Sequence, residues 1–341
     1  MAAFSLRFLL SLLTASLLWL TNATSNNLTN VVTWDPHSLT INGERLFLFS
    51  GEFHYQRLPV PELWLDIFHK FRASGFNAVS VYFFWNFHSP SKGVYDFENG
   101  AKDIQKMFDY AKQAGVYVIA RAGPYCNAET NGGGLALYLG DGSGGKLRTS
   151  DDMYYQSWKP FIAKVGKLIA ANQITEGGPV ILNQIENEST ETTHSATNTL
   201  VVYMEQIEAE FKNAGVVVPS MSNEKGQRGQ SWSVDYQNVG GAVNIYGLDS
   251  YPGGTSCTAN KGYTTVRNYY QWFQNYSFSQ PEFFPEFEGG YFQPWGGLFY
   301  DTCSGELSPE FPDVYYKDLV GQRTSLLSLY MAFGGTNWGY R

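Results

Sequence analysis

The sequence predicts an α/β fold, a (β/α)8 barrel, and three observations support this prediction. The first is eight short apolar runs that have the composition of strands, at 47–50, 78–84, 116–120, 180–184, 216–221, 243–247, 283–287 and 327–333. The second is the helical spacing of apolar residues in longer segments between these runs. The third is the chain length of 341 residues, which single barrel domains commonly reach. Alternating strands and helices favour parallel strands with right-handed crossovers, and eight such units close into a barrel.

The ends of several helices can also be predicted. A helix over 61–72 should stop at Gly75, and one that begins near Ile104 should stop at Gly115. Ser150, with two aspartates behind it, is the predicted N-cap of the next helix. An open doubly wound sheet is the alternative fold, but no glycine-rich phosphate loop follows the first strand.

Composition limits the possible partners. Aromatic residues make up 16% of the chain and charged residues only 16%, so rings remain for a cleft after a large core is built. The formal net charge of -8 argues against a nucleic-acid partner, because binding to that backbone needs an excess of Lys and Arg. His54, His88 and His194 lack the spacing of metal ligands, and we expect neither a metal nor a cofactor.

Residues 1–23 have the pattern of a secretory signal peptide. Arg7 supplies a positive charge, 8–20 is almost entirely apolar, and small residues at 21–23 offer a cleavage site. The apolar run is too short for an ordinary membrane span, and a buried first helix or an anchor is the alternative. We therefore expect a secreted, extracellular protein whose mature part, 24–341, has no membrane segment.

Sequons and cysteines are consistent with secretion. Asn27 and Asn275 each begin an Asn-X-Ser/Thr sequence that can accept a glycan. Three cysteines allow at most one internal disulfide. Cys257 and Cys303 lie in loop-like sequence and are the favoured pair, whereas Cys126 follows an apolar run and is predicted to be a buried free thiol.

Polar residues follow most of the predicted strands. In a barrel, the active site lies at the carboxyl ends of the strands. These positions hold carboxylates, amides, tyrosines and one histidine: Glu52, His54, Tyr82, Asn127, Glu129, Glu186 to Glu188, Asn223, Glu224, Asp249, Tyr251 and Glu286. The pattern predicts a polar ligand with many hydroxyl groups.

Two strand ends carry candidate catalytic carboxylates. Glu188 follows strand four and Glu286 lies on strand seven, and these strands face each other across a barrel. Hydrolysis of a glycosidic bond with retention needs two carboxyl groups roughly 5 Å apart, one as nucleophile and one as acid and then base. Glu186 lies two residues before Glu188, and spacing alone does not choose between them.

A family resemblance is carried by six short segments. Residues 177–188 (GGPVILNQIENE) closely resemble the active-site signature of glycoside hydrolase family 35, the β-galactosidases. Further matches are 49–54 (FSGEFH), 123–129 (GPYCNAE), 285–290 (PEFEGG), 294–297 (PWGG) and 333–338 (FGGTNW). The resemblance covers the chain from about 32 to 338, and the segments look most like the extracellular fungal members.

The resemblance implies roles for the residues of the predicted site. Asn187 would bind the sugar 2-hydroxyl, Glu188 would be the acid/base, and Glu286 the nucleophile. A further set would hold galactose: Tyr82, Asn127, the backbone of Ala128, Glu129 and Tyr251. Glu186 and Glu288 would be structural carboxylates. The resemblance also supports a disulfide between Cys257 and Cys303.

The predicted function is a retaining exo-β-galactosidase that removes terminal non-reducing β-D-galactose from oligosaccharides or polysaccharides. The alternatives are a galactoside-binding protein without turnover and a barrel glycosidase for another sugar. Ser189 departs from the signature, which usually has an aromatic residue there. The family adds a loop, a packing helix and β-rich domains after the eighth strand, where we expect this barrel to be truncated. We therefore expect intact catalytic carboxylates but weak or lost turnover, because an apolar face of the barrel would be uncovered.

Overall fold

The computed structural model of the protein describes residues 23–189, 199–236, 240–252, 267–288 and 310–336. Nearly all of the predicted signal peptide and the predicted disulfide pair, Cys257 and Cys303, lie outside these ranges. Cys126 is a buried free thiol, as predicted.

A small antiparallel sheet comes first in the chain, and sequence analysis missed it. It consists of β1 (Val32–Trp34), β2 (Leu39–Ile41) and β3 (Glu44–Leu46). Its apolar residues share a buried cluster with the first residues of the barrel strands, such as Leu48 and Ala78. The sheet therefore covers the end of the barrel opposite the predicted site. Strands of three residues are too short to show a clear alternation in the sequence.

Eight parallel strands form a barrel, as predicted. They are β4 (Leu48–Phe53), β5 (Ala78–Tyr82), β6 (Tyr117–Arg121), β7 (Val180–Gln184), β8 (Ser220–Lys225), β9 (Ile245–Asp249), β10 (Phe283–Glu288) and β11 (Leu326–Phe333). Their order in the sheet is β10-β11-β4-β5-β6-β7-β8-β9. The ring closes between β9 and β10, where Ser250 N donates to Glu286 O and Glu288 N donates to Ser250 O, each over 3.0 Å.

Helices connect the strands: α1 (Trp64–Ala73), α2 (Trp85–His88), α3 (Ile104–Ala114), α4 (Asp152–Ala171), α5 (Thr199–Asn213), α6 (Tyr269–Tyr276) and α7 (Glu310–Gly321). Gly115 ends α3 in the left-handed conformation, at φ 71°, as a helix-terminating glycine does. The N-cap of α4 is Asp151 and not Ser150, because the Asp151 carboxylate accepts from the backbone N–H groups of Met153 and Tyr154. None of the described helices combines the length and apolar content that a bilayer span requires.

Three barrel strands lie further along the chain than predicted. The fifth, β8, begins at Ser220 rather than at 216, since Pro219 has no N–H to donate to a strand ladder. The sixth, β9, ends at Asp249 rather than at 247, and the first, β4, continues to Phe53. As a result Asn223 and Asp249 lie on strands, where the sheet sets the direction of their side chains.

Candidate active site

Glu286 lies inside β10 and receives hydrogen bonds from four side chains, of which the bond from Asn223 Nδ2 to Oε1, over 3.5 Å, is the longest. Arg121 Nη2 and Tyr82 OH donate to its Oε1 over 2.5 and 2.7 Å, and Tyr251 OH donates to its Oε2 over 2.7 Å. The carboxylate is only 5% exposed. Charge-assisted bonds to both oxygens hold it in one position at the centre of the barrel mouth.

Arg121, the last residue of β6, is the central cation of the barrel interior. Its Nη1 donates to Glu52 Oε2 over 2.8 Å, and its Nε donates to Gln184 Oε1 over 2.7 Å. Its guanidinium carbon lies 3.9 Å from the centroid of the Tyr82 ring. Burial raises the pKa of Glu52, but the Arg121 charge and hydrogen bonds outweigh this effect, so the pKa lies below its ordinary value. A fully buried arginine is tolerated here because it is paired with carboxylates and hydrogen-bonded.

Glu188 has the opposite surroundings. It lies in the turn after β7, and within the described residues no hydrogen bond or ion pair reaches its carboxyl group. Burial, and then the negative charge of Glu286, raise the pKa of Glu188 from 4.5 to about 7. A carboxyl group with such a pKa is suited to give and take a proton near neutral pH.

The turn that carries Glu188 is left-handed. Glu186 and Glu188 have φ angles of 57° and 43°, which residues other than glycine rarely adopt. Arg148 binds the Glu186 carboxylate with two bonds, Nε to Oε1 over 2.9 Å and Nη2 to Oε2 over 2.7 Å. Glu186 Oε2 also accepts from the backbone N–H of Asn187 over 2.7 Å. Glu186 is therefore engaged in an ion pair, and Glu188 is the carboxyl group of this strand end that remains for chemistry.

Two amides link the carboxyl groups. Asn187 Oδ1 accepts from Tyr82 OH over 2.5 Å and from Asn223 Nδ2 over 3.0 Å, which leaves its Nδ2 donor directed away from these groups. Asn223 Oδ1 accepts from the backbone N–H of Glu188 over 3.3 Å, and its Nδ2 donates to Asp249 Oδ2 over 2.5 Å. Asn223 thereby connects the turn after β7 to strand β9.

Asp249 is a further buried carboxyl group of the site. Its burial, and then the charges of Glu286 and Glu188, raise its pKa well above the ordinary value. The Asp249 carboxyl group is therefore linked electrostatically to the other two carboxyl groups. Among the described residues, no group of three or more His, Cys, Asp and Glu side chains is arranged to hold a metal ion.

The residues predicted after β6 form a second left-handed turn. Asn127, Ala128 and Glu129 have φ angles of 55°, 50° and 45°. Arg57 Nη2 donates to the Ala128 carbonyl oxygen over 2.8 Å, and Tyr330 OH donates to Glu129 Oε2 over 2.5 Å. The Glu129 charge also raises the pKa of Glu188, so the two side chains are close enough to interact electrostatically. Asn127 is exposed beside them.

The structure brings most of the predicted site residues together. Direct hydrogen bonds join four of them: Tyr82, Asn187, Tyr251 and Glu286. Sequence reasoning missed Arg121, Tyr330 and Arg148. Arg121 had a usable signal, since a charge that ends a buried apolar strand needs a partner. Tyr330 resembles any aromatic residue of a strand, and Arg148 lies in a loop without local periodicity.

Comparisons with known proteins give consistent matches. The family model described as "Glycosyl hydrolases family 35" matches residues 38–341. A protein named "Probable beta-galactosidase C" from Sclerotinia sclerotiorum is 69% identical over 325 residues, which are 95% of this chain and 33% of that protein. A protein of the same name from Neosartorya fischeri is 67% identical over 341 residues, 100% of this chain and 35% of that protein. The chain thus spans about a third of the length of these curated relatives.

A solved structure confirms the fold alone. The exo-beta-1,4-mannosidase from Opitutaceae bacterium strain TAV5 superposes with a TM-score of 0.60 at 10% sequence identity. The match covers 85% of this chain and 52% of the mannosidase. At this identity the likeness extends to the barrel architecture and not to the substrate.

Proposed function

The chain belongs to glycosyl hydrolase family 35, and we propose that it contains the catalytic barrel of a retaining exo-β-galactosidase. Its substrates would be oligosaccharides or polysaccharides with terminal non-reducing β-D-galactose. The observation that carries this proposal is the contrast between two glutamates. Four side-chain donors hold the Glu286 carboxylate, whereas burial and the Glu286 charge raise the pKa of Glu188 to about 7.

The first chemical step uses both glutamates. A Glu286 oxygen attacks the anomeric carbon, the bond from that carbon to the leaving oxygen breaks, and Glu188 transfers its proton to this oxygen. In the second step Glu188 takes a proton from water, the water oxygen attacks the anomeric carbon, and Glu286 leaves as a carboxylate. Two displacements at one carbon retain its configuration.

The electrostatic coupling of the pair supports this cycle. The Glu286 charge contributes to the raised pKa of Glu188, which keeps the acid protonated before the first step. Once Glu286 is esterified by the sugar, its charge is gone and the pKa of Glu188 falls. Glu188 is then ionised and suited to act as the base.

Recognition of galactose is assigned to the polar groups around the pair. The Nδ2 donor of Asn187 would bind the sugar 2-hydroxyl, a contact that strengthens as charge develops at the anomeric carbon. The other proposed contacts come from Tyr82, Asn127, the backbone of Ala128, Glu129 and Tyr251. Carboxylate and amide groups can each bind two neighbouring hydroxyls, which supports a sugar as the ligand.

We also propose an extracellular location. The support is the signal-peptide pattern of residues 1–23 and the sequons of the mature part, 24–341, of which Asn27 and Asn275 are exposed. A disulfide between Cys257 and Cys303 belongs to the same proposal, because disulfides persist in oxidising compartments.

Hydrolysis of an aryl β-galactoside by this chain and by its Glu188→Gln and Glu286→Gln variants tests the function. Circular dichroism should confirm that each protein is folded. We expect weak activity at most in the parent and its loss in both variants. A 2-deoxy-2-fluoro-β-galactoside with a dinitrophenyl leaving group should label Glu286, which mass spectrometry detects even where turnover is slow.

The proposal is wrong if a folded Glu286→Gln protein keeps the parent activity or if another residue carries the label. Binding of galactosides without turnover or labelling would instead identify a galactoside-binding protein. Turnover of a different glycoside in the same panel would identify a related barrel glycosidase.

A further inference from the structure

Arg148 contacts each residue of the turn 186–188. Besides its two bonds to the Glu186 carboxylate, its Nη2 donates to the carbonyl oxygens of Asn187 over 2.7 Å and Glu188 over 3.2 Å. Among the described residues, Arg148 is the donor that reaches these two carbonyl oxygens. One guanidinium group thus binds three consecutive residues, of which the last is the proposed acid.

The guanidinium group is itself held in place. Its carbon atom lies 3.7 Å from the centroid of the Tyr125 ring, and the Arg148 side chain is 23% exposed. The Tyr125 ring lies against Gly133, where an added Cβ would come within 2.1 Å of the ring. The ring is therefore fixed between the loop and the arginine, and it orients the plane of the guanidinium group.

The turn needs such support because its backbone conformation is unfavourable. The left-handed φ angles of Glu186 and Glu188 persist only where surrounding contacts stabilise them. The backbone N–H of Glu186 donates to Gly123 O over 3.0 Å, and Gln184 Nε2 donates to the Glu186 carbonyl oxygen over 2.8 Å. These bonds support the start of the turn. At the end that carries Glu188, Arg148 donates to two carbonyl oxygens, and Asn223 Oδ1 accepts from the Glu188 N–H over 3.3 Å.

We propose that Arg148 is a positioning residue for the general acid, because it holds the turn 186–188 in the conformation from which the Glu188 carboxyl group reaches the leaving oxygen. This inference rests on the proposed role of Glu188. Arg148 binds carbonyl oxygens and the Glu186 carboxylate, and no bond joins it to the Glu188 carboxyl group, so it acts through geometry. Removal of the Arg148 side chain should therefore have the same kinetic effect as removal of the Glu188 acid, but a smaller one.

Loss of acid catalysis lowers activity most for substrates with poor leaving groups, whereas an unspecific disturbance of the fold lowers activity for all substrates. A dinitrophenolate leaves without a proton, whereas phenolate, a much poorer leaving group, depends on the acid. We expect Arg148→Ala to lower kcat/KM for phenyl β-galactoside by about 10²-fold, as a small misplacement of a reacting group does. The kcat/KM for 2,4-dinitrophenyl β-galactoside should change by less than about threefold, because the departure of dinitrophenolate does not use the acid. For Arg148→Lys, kcat/KM for phenyl β-galactoside should lie between the values of the parent and of Arg148→Ala. Lysine keeps the charge but cannot make the planar two-bond contact.

Two further variants make the test specific. Arg323→Ala is the matched control. Arg148 and Arg323 both have a left-handed backbone, at φ 57° and 76°, and the Arg323 guanidinium carbon lies 4.9 Å from the centroid of a tyrosine ring, Tyr270. Arg323 precedes β11 and lies at the opposite end of the barrel from the site. Its variant should therefore have the parent kcat/KM for both substrates. Arg148→Ala in a Glu188→Gln background should cause no additional loss on the phenyl substrate.

The outcomes separate this inference from the proposed function. Equal losses on both substrates in folded Arg148→Ala, or an additional loss in the Glu188→Gln background, would overturn the positioning role. If Arg148→Ala does not fold, Arg148→Lys is judged by the same comparison. If Glu188→Gln by itself shows no dependence on the leaving group, the proposed acid role of Glu188 fails instead.

Discussion

Glu286 and Glu188 are the same residue type in two contrasting parts of the barrel mouth. Glu286 lies within β10, where its carbonyl oxygen accepts from Ser250 N, and four side-chain donors hold its carboxylate. Glu188 lies in a left-handed turn, and its carboxyl group is buried near the negative charge of Glu286. The surroundings, and not the residue type, therefore distinguish the two carboxyl groups and would divide between them the proposed tasks of nucleophile and acid.

The two surroundings also depend on each other. Arg121 compensates the Glu286 charge, and that charge in turn raises the pKa of Glu188. A change on one side of the cleft should therefore alter the other side. Three substitutions test this dependence.

The largest effect on stability and activity is expected for Arg121→Met. This change leaves Glu52 and Glu286 buried without their cation, and breaking such a pair lowers the free energy of unfolding by about 3–5 kcal/mol. Urea denaturation measures this loss, and hydrolysis of an aryl β-galactoside should be abolished. Lys70→Met is the control, because Lys70 pairs with Asp66 on the surface, where the two side chains are 68% and 59% exposed. An exposed pair contributes at most about 1 kcal/mol. A stable, active Arg121→Met protein would show that the tyrosines suffice to hold Glu286.

The next effect is a pH-dependent gain of stability in Glu188→Gln. In the parent, the pKa of Glu188 is about 7 in the folded state and 4.5 ordinarily, so the folded protein retains a proton that the unfolded chain releases between these values. The stability of the parent therefore falls as pH rises through this window. The glutamine variant has no such charge and should be more stable by about 2–3 kcal/mol at pH 8, with little difference at pH 4. Urea denaturation at both pH values measures the difference. An equal difference at both pH values would contradict the raised pKa.

The smallest effect is expected for Tyr251→Phe. It removes one donor from Glu286 Oε2 and leaves Arg121 and Tyr82 on Oε1. Loss of one bond to a charged group should cost about 1.5 kcal/mol, or about tenfold in kcat/KM. Tyr269→Phe is the control, because Tyr269 OH pairs with Ser250 Oγ over 2.6 Å and not with Glu286. Equal losses in both variants would show that Tyr251 acts on the fold rather than on the nucleophile.

Several features of this protein follow from its sequence. Apolar runs at strand spacing predict eight parallel strands, because burial on both faces requires such runs. Polar residues after these runs locate the site, since an acidic group is accommodated only where a buried strand meets a cleft. Glu188 and Glu286 are identifiable as candidates for these reasons, and the family resemblance adds their predicted roles.

The tertiary structure decided which charged groups meet. Arg121 and Glu286 are 165 positions apart, and Arg148 and Glu186 are 38 apart, so no local pattern indicates either pair. The choice of Glu188 rather than Glu186 as the proposed acid depends on which of the two carboxyl groups Arg148 binds, and it binds that of Glu186. Strand periodicity depends on neighbours in the chain, whereas a pKa or an ion pair depends on groups that only the closed barrel brings within a few ångströms.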